Sequence, residues 1–220
     1  MTNGSSSGLL RLVATQVKAI SRSSPRLNAA FWDIQYRLGI WDFLDAGDAS
    51  GRELAGIIAE YLPQASILDL GCGTSVNLPL APGTYLRYHG IDISAKAIRQ
   101  ARMIGRPHAT YETADILTYA PQETYNAILL REVIYYLPVA KVSGFLDRLS
   151  GFLAPGGVIA IQVWTGERKP ELIAAIEGSA LPVMLEQALK EDPRDPASSP
   201  TVYLLGKPGS EASGFGRRMQ

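Results

Sequence analysis

The stretch ILDLGCGTSVN, Ile67 to Asn77, joins a short apolar run to a turn with two glycines one residue apart. Ile67–Leu70 has the length and aliphatic character of a strand buried on both faces. Gly71 and Gly73 allow a tight turn and a close approach of backbone to ligand with no Cβ in the way. A dinucleotide fingerprint needs one more glycine, and Thr74, Ser75 and Val76 follow the pair instead, which weakens a pyrophosphate reading. The stretch therefore sets a buried strand with a ligand-facing loop at its carboxyl end, and leaves the ligand open.

The same rhythm continues outward from it. Apolar runs at 88–93, 111–113, 125–130 and 158–163 read as further strands. Helical stretches separate them: 76–80 at least, 95–104 and 139–152. Strands that are apolar throughout and alternate with helices indicate a parallel, Rossmann-like α/β sheet with helices on both faces. Toward the end, 171–177 reads as a helix, with strands at 183–188 and 201–208. The charged, proline-rich KEDPRDPASSP between those strands suits an exposed loop, so the two close as an antiparallel edge hairpin. Upstream, 52–62 reads as a helix and 9–20 as a short amphipathic one. We divide the chain into an N-terminal extension (1–25), a single domain (26–208) whose aromatic segment 26–62 forms a lid, and a loose tail (209–220).

Composition narrows the function. Basic and acidic side chains balance at 21 each, which argues against a surface built for nucleic acid or acidic lipid. The single cysteine, Cys72, excludes an internal disulfide and a cysteine zinc cluster, and two distant histidines disfavour a histidine metal site. No apolar run approaches the roughly 20 residues of a membrane span, and no secretory signal opens the chain. A cytoplasmic protein is expected.

Two carboxylates extend the glycine loop. Asp92, in GIDIS, lies about 20 residues beyond it, where an acidic residue meets ribose hydroxyls, and Asp115, in TADI, follows the third strand. Together they set acceptors along one edge of the sheet, as an adenosine requires; each also reads as a cap at a strand end.

In order and spacing, ILDLGCGTS, GIDIS, TADI, YNAILLREVIYYL and LAPGGVIAI resemble the successive motifs of class I S-adenosylmethionine-dependent methyltransferases, over about residues 66–164. The FWDIQYRLGIWDFLD segment resembles the entry of small-molecule members from bacterial secondary metabolism and glycan modification. The resemblance implies a seven-stranded sheet with an antiparallel last strand and S-adenosyl-L-methionine as cofactor. By position, Asp69, Gly71 and Gly73 would line the methionine and ribose side, with Cys72 between them as a small buried filler. Asp92 would accept from the ribose, with Ile93 on the adenine. Asp115 would meet the adenine amino group beside Ile116, and Arg131 would contribute backbone near the cofactor amino group. Where the family has a third glycine, Ser75 stands; restoring glycine there is expected to leave binding intact or tighten it.

The chemistry implied is methyl transfer to an oxygen or nitrogen of a small molecule, chiefly by positioning. After the fourth strand, Glu132 is a candidate general base or holder of a substrate amine, and Tyr135 and Tyr136 candidate orienters of an acceptor hydroxyl. Each reads equally as a helix cap or as packing. Trp32, Tyr36 and Trp41 would close over the site, and Trp164 would add a wall. Arg52 is a candidate partner for a cofactor carboxylate. A second reading keeps the fold and the cofactor but no methyl transfer, as a non-methylating enzyme or partner subunit.

Overall fold

The computed structural model describes residues 24–42, 49–164, 170–189 and 200–207. The expected helix over 9–20, Phe43 of the aromatic segment, the loop over 190–199 and the tail beyond 207 lie outside the described residues.

Seven strands form one sheet: β1 (Ala65–Leu70), β2 (Tyr85–Asp92), β3 (Ala109–Thr113), β4 (Tyr125–Arg131), β5 (Leu153–Val163), β6 (Val183–Ala188) and β7 (Thr201–Gly206), in the spatial order β3-β2-β1-β4-β5-β7-β6. β1 to β5 pair in parallel, and β7 runs antiparallel between β5 and β6. All six residues of β1 and of β7 are buried, as expected where helices cover both faces.

Alternation along the strands divides the core. Leu68, Leu70, Ile128, Leu130, Ile159 and Ile161 face one side, with Phe145, Leu146, Leu149, Leu172 and Ile176 of α4 (Val142–Ser150) and α5 (Pro170–Glu177). Ile67, Leu129, Ala160, Val202 and Leu204 face the other, with Leu54, Ile57 and Ile58 of α2 (Ala49–Tyr61). Each such Leu or Ile withdrawn from water contributes about 1.5–3 kcal/mol, so the period-2 pattern fixes the register. Strand order reverses between β1 and β4, and the crevice outside their carboxyl ends is where open α/β sheets bind ligands.

Two expectations need correction. Residues 76–80 form turns rather than a helix: Pro79 lacks an N–H, and a residue before proline, here Leu78, is pushed away from helical backbone. The segment 139–152 is a 3₁₀ turn at Val139–Lys141 followed by α4, with β5 already under way at Leu153.

The aromatic segment supplies α1 (Pro25–Arg37), with proline in its first turn, where the missing N–H costs nothing. None of its residues is fully buried. It rests on α3 (Ala95–Met103), where Asp33 Oδ1 accepts from Ser94 Oγ (2.6 Å) and from the Lys96 N–H (3.0 Å). Among the described residues no helix is long and apolar enough to cross a membrane.

Candidate functional site

Over the reversal point lies a cavity of about 680 Å³, within the range of small-molecule sites. Its lining brings together Asp69, Gly71, Cys72, Gly73, Asp92, Ile93, Asp115, Ile116, Arg131, Glu132, Tyr135, Tyr136, Trp32, Tyr36, Trp41 and Trp164. Arg52 does not join them and is exposed. Arg131 does line the cavity: its side chain is buried and gives Nη1 to Asn77 Oδ1 at 2.9 Å.

The loop after β1 has little freedom. Gly71 has φ +78°, and a Cβ there would lie 2.5 Å from Val133 Cγ2. The Gly71 and Cys72 N–H groups donate to the Ile91 carbonyl, and the Gly73 N–H donates to Asp92 Oδ2 at 3.0 Å. Asp92 Oδ1 accepts the Ser94 N–H at 2.8 Å. Burial nevertheless pushes the Asp92 carboxyl up to about 6, against those two bonds. Asp69 Oδ2 accepts the Tyr88 hydroxyl at 2.6 Å, whereas Oδ1 is buried with no hydrogen-bond partner. Asp115 Oδ1 caps its own turn at the Leu117 N–H (2.9 Å). Arg148 braces that turn by donating to the Tyr119 and Ile116 carbonyls.

Across the cavity the support comes from side chains. Glu132 has φ +53°, an uncommon backbone state for a residue with a side chain. It does not cap the turn that follows: Oε2 accepts the Tyr135 hydroxyl at 2.9 Å and Oε1 accepts Gln162 Nε2 at 3.1 Å. Burial drives the Glu132 carboxyl up to about 8, although Tyr135, Arg131, Gln162 and the Trp164 N–H favour its charged form. The Trp32 ring meets Tyr136 edge-on at 4.9 Å and lies 5.8 Å from Trp41, and Tyr135 and Tyr136 are 4.7 Å apart. Aromatic pairs at such distances are worth about 0.5–1.5 kcal/mol beyond the area they bury.

Sequence reading missed Gln162, Asn77, Tyr88 and Asp33. Gln162 had a signal: it is the single polar side chain in VIAIQV, and it also donates to Ser50 Oγ at 2.9 Å. Asp33, inside an aromatic-rich helix, had none.

A family model described as a methyltransferase domain matches residues 44–189. Trans-aconitate 2-methyltransferase from Methylobacterium radiotolerans is 31% identical over 123 residues, which is 55% of this chain and 46% of that protein. The chain spans about half the length of the curated relatives it matches. Among solved structures, the N-methyltransferase NodS from Bradyrhizobium japonicum WM9, in complex with S-adenosyl-L-homocysteine, aligns with a TM-score of 0.61 at 22% identity, covering 76% of this chain and 91% of that one. The 1,6-didemethyltoxoflavin-N1-methyltransferase of Burkholderia thailandensis, with bound 1,6-didemethyltoxoflavin and S-adenosylhomocysteine, gives 0.64 at 15%, covering 84% and 91%. At these identities the likeness to the two structures is one of fold.

Proposed function

The chain belongs to the methyltransferase-domain family, and on that premise we propose that it moves a methyl group from S-adenosyl-L-methionine to an oxygen or nitrogen of a small molecule. The observation that carries this reading is that one cavity holds both the carboxylates at the ends of β1 to β3 and an aromatic chamber around Glu132.

The residues present fit the cofactor. The buried, unpartnered Asp69 Oδ1 suits an ammonium group. Each Asp92 oxygen takes one backbone N–H and keeps a lone pair for a ribose hydroxyl. Asp115 and Ile116 line the same cavity and would hold the adenine. When bound, the cofactor supplies an electrophilic methyl group on sulfur.

The chain's own residues supply position and a proton sink. Trp32, Trp41, Tyr135 and Tyr136 exclude water from the acceptor and limit its poses. Glu132, its carboxyl raised to about 8, takes the proton that the acceptor releases as its new bond to carbon forms, because a base works best with a pKa near the working pH. The relatives named for trans-aconitate favour a small acceptor of that size class.

Calorimetry on the full chain tests the premise. S-adenosyl-L-homocysteine and S-adenosyl-L-methionine should each give a binding isotherm and NAD none; no heat with either sulfur nucleoside overturns the reading. Formation of S-adenosyl-L-homocysteine on adding a small-molecule extract then separates methyl transfer from cofactor binding alone.

A further inference from the structure

Beneath the glycine loop, three polar side chains that the methyl-transfer reading leaves without a role, Ser75, Tyr88 and Arg106, form a chain of contacts that ends on Asp69. Ser75 is fully buried and has φ +63°, the left-handed state that glycine adopts most readily. Its Oγ lies 2.9 Å from the Tyr88 hydroxyl, and Tyr88 Oη is 2.6 Å from Asp69 Oδ2. Arg106 Nη2 donates to the Ser75 carbonyl (2.8 Å), the Leu78 carbonyl (2.7 Å) and Ser75 Oγ (3.3 Å). The Arg106 guanidinium also stacks 4.8 Å over the Tyr88 ring.

The direction of this chain follows from chemistry. An ionised carboxylate only accepts, so the single Tyr88 proton goes to Asp69. Tyr88 Oη must then accept from Ser75, and Ser75 Oγ accepts in turn from Arg106. Every donor points toward Asp69, with a fixed positive charge at the far end, and such series polarise one another in a low-dielectric interior. One Asp69 oxygen is thus held from behind, while the other, Oδ1, is left without a partner on a residue that lines the cavity.

We propose that Tyr88, Ser75 and Arg106 are positioning residues that hold the Asp69 carboxylate ionised and turned so that Oδ1 meets the ammonium group of the bound cofactor. This rests on the cofactor assignment above. It also revises the expectation for Ser75: the hydroxyl stabilises the strained turn and continues the relay, so glycine at this position relieves φ but cuts the line to Arg106.

The charged and titratable groups facing Asp69 are Tyr88 on β2, Arg131 at the end of β4, Arg106 beyond α3, and Cys72 and Asp92 at the loop. Burial raises the Asp69 carboxyl, and Tyr88, Arg131 and Arg106 pull it back down. Removing the Tyr88 hydroxyl therefore favours the protonated acid, which cannot accept an ammonium group as an ion pair.

The test compares two ligands by calorimetry: S-adenosyl-L-homocysteine, which carries the ammonium group, and 5′-methylthioadenosine, which lacks the whole amino-acid arm. Tyr88→Phe should weaken S-adenosyl-L-homocysteine roughly tenfold or more, the size expected for one hydrogen bond to a charged group. It should leave 5′-methylthioadenosine within about twofold of wild type, since no Asp69 contact is at stake. The acid limb of the S-adenosyl-L-homocysteine affinity profile should move to higher pH in the variant, and the 5′-methylthioadenosine profile should not. Ser75→Gly keeps Tyr88 in the core and settles the matter if Tyr88→Phe fails to fold; it should weaken S-adenosyl-L-homocysteine a few-fold with the same selectivity. Equal losses for both ligands, or no loss in Ser75→Gly, overturn the proposal. If wild type binds neither ligand, the cofactor assignment itself falls, and that outcome is read before any variant is made.

Discussion

On the β1–β3 side of the cavity, Asp92 is held by the Gly73 and Ser94 backbone N–H groups; on the β4–β5 side, Glu132 is held by the Tyr135 hydroxyl and the Gln162 amide. In the first wall the carboxylate beside the loop is held by main chain, and the geometry of the loop dictates it, while Asp69 next to it is held from behind by Tyr88. The second is assembled from distant side chains, with Trp32 and Trp41 arriving from the aromatic segment. Under the proposed function the first wall would serve the cofactor and the second the acceptor, and side chains of the second can change without disturbing the sheet.

The largest effect should come from the variable wall. Glu132→Gln keeps the shape, retains one acceptor oxygen for either the Tyr135 hydroxyl or the Gln162 amide, and cannot take a proton. Methyl incorporation should fall well over tenfold, in line with the roughly 10²–10⁴ of general-base catalysis, with S-adenosyl-L-homocysteine affinity nearly unchanged. Wild-type rate should climb with pH and level off above about 8, and the variant should lose that climb. An unchanged rate would remove Glu132 from the mechanism and leave positioning alone.

The fixed wall should respond through structure instead. Gly71→Ala places a Cβ 2.5 Å from Val133 at φ +78°. The left-handed backbone alone costs about 1–2 kcal/mol, and the clash adds to it, so Tm should drop by roughly 5 °C or more with cofactor affinity lost alongside. Retained affinity at wild-type Tm would mean that the loop is more adaptable than its hydrogen bonds suggest.

These two walls also differ in how far the sequence reveals them. All seven strands were legible, the central ones because runs such as ILDL and AILL report burial directly. So was the glycine loop with Asp92 and Asp115, since their spacing reflects strand length. The supposed helix at 76–80 failed because Pro79 governs a short segment more strongly than its apolar residues do. Tyr88 read only as strand, although its hydroxyl ends on Asp69. Gln162 meets Glu132 across 30 residues, and Asp33 meets Ser94 across 61; no local pattern encodes pairs that only the folded sheet brings together.

A smaller effect tests whether both walls hold strained acids. Glu132 titrates near 8 in the fold against an ordinary 4.5, and Asp92 near 6 against 3.8. Between each pair of values the folded state keeps a proton that the unfolded chain has released. Stability of the ligand-free protein should therefore be fullest below about pH 4 from these groups and decline as pH rises to about 6 for Asp92 and about 8 for Glu132. Tm measured across that range should fall more steeply in wild type than in Glu132→Gln. Parallel curves would place the Glu132 carboxyl in contact with water.

The smallest global effect, and the sharpest local one, is expected where the aromatic wall is fastened to the fixed one. Asp33 sits below the ordinary carboxylate range: slight burial raises it, but the Ser94 hydroxyl and Lys96 N–H bonds, with Arg37 and Arg99 nearby, outweigh that. Ser94 also donates its N–H to Asp92, so the same residue ties α1 and the Asp92 carboxylate together. Because α1 has no fully buried residue, Asp33→Ala should leave Tm within about 2 °C of wild type. Hydrogen exchange across residues 25–37 should nevertheless quicken roughly tenfold, since one charge-assisted contact is worth about that factor, while β1 and β4 amides stay unchanged. Binding of S-adenosyl-L-homocysteine should restore part of the protection by fixing Asp92 and, through it, Ser94. Faster exchange in β1 and β4 as well would show that α1 is part of the core rather than a wall laid against it, and the contrast between the two sides of the cavity would then be one of sequence alone.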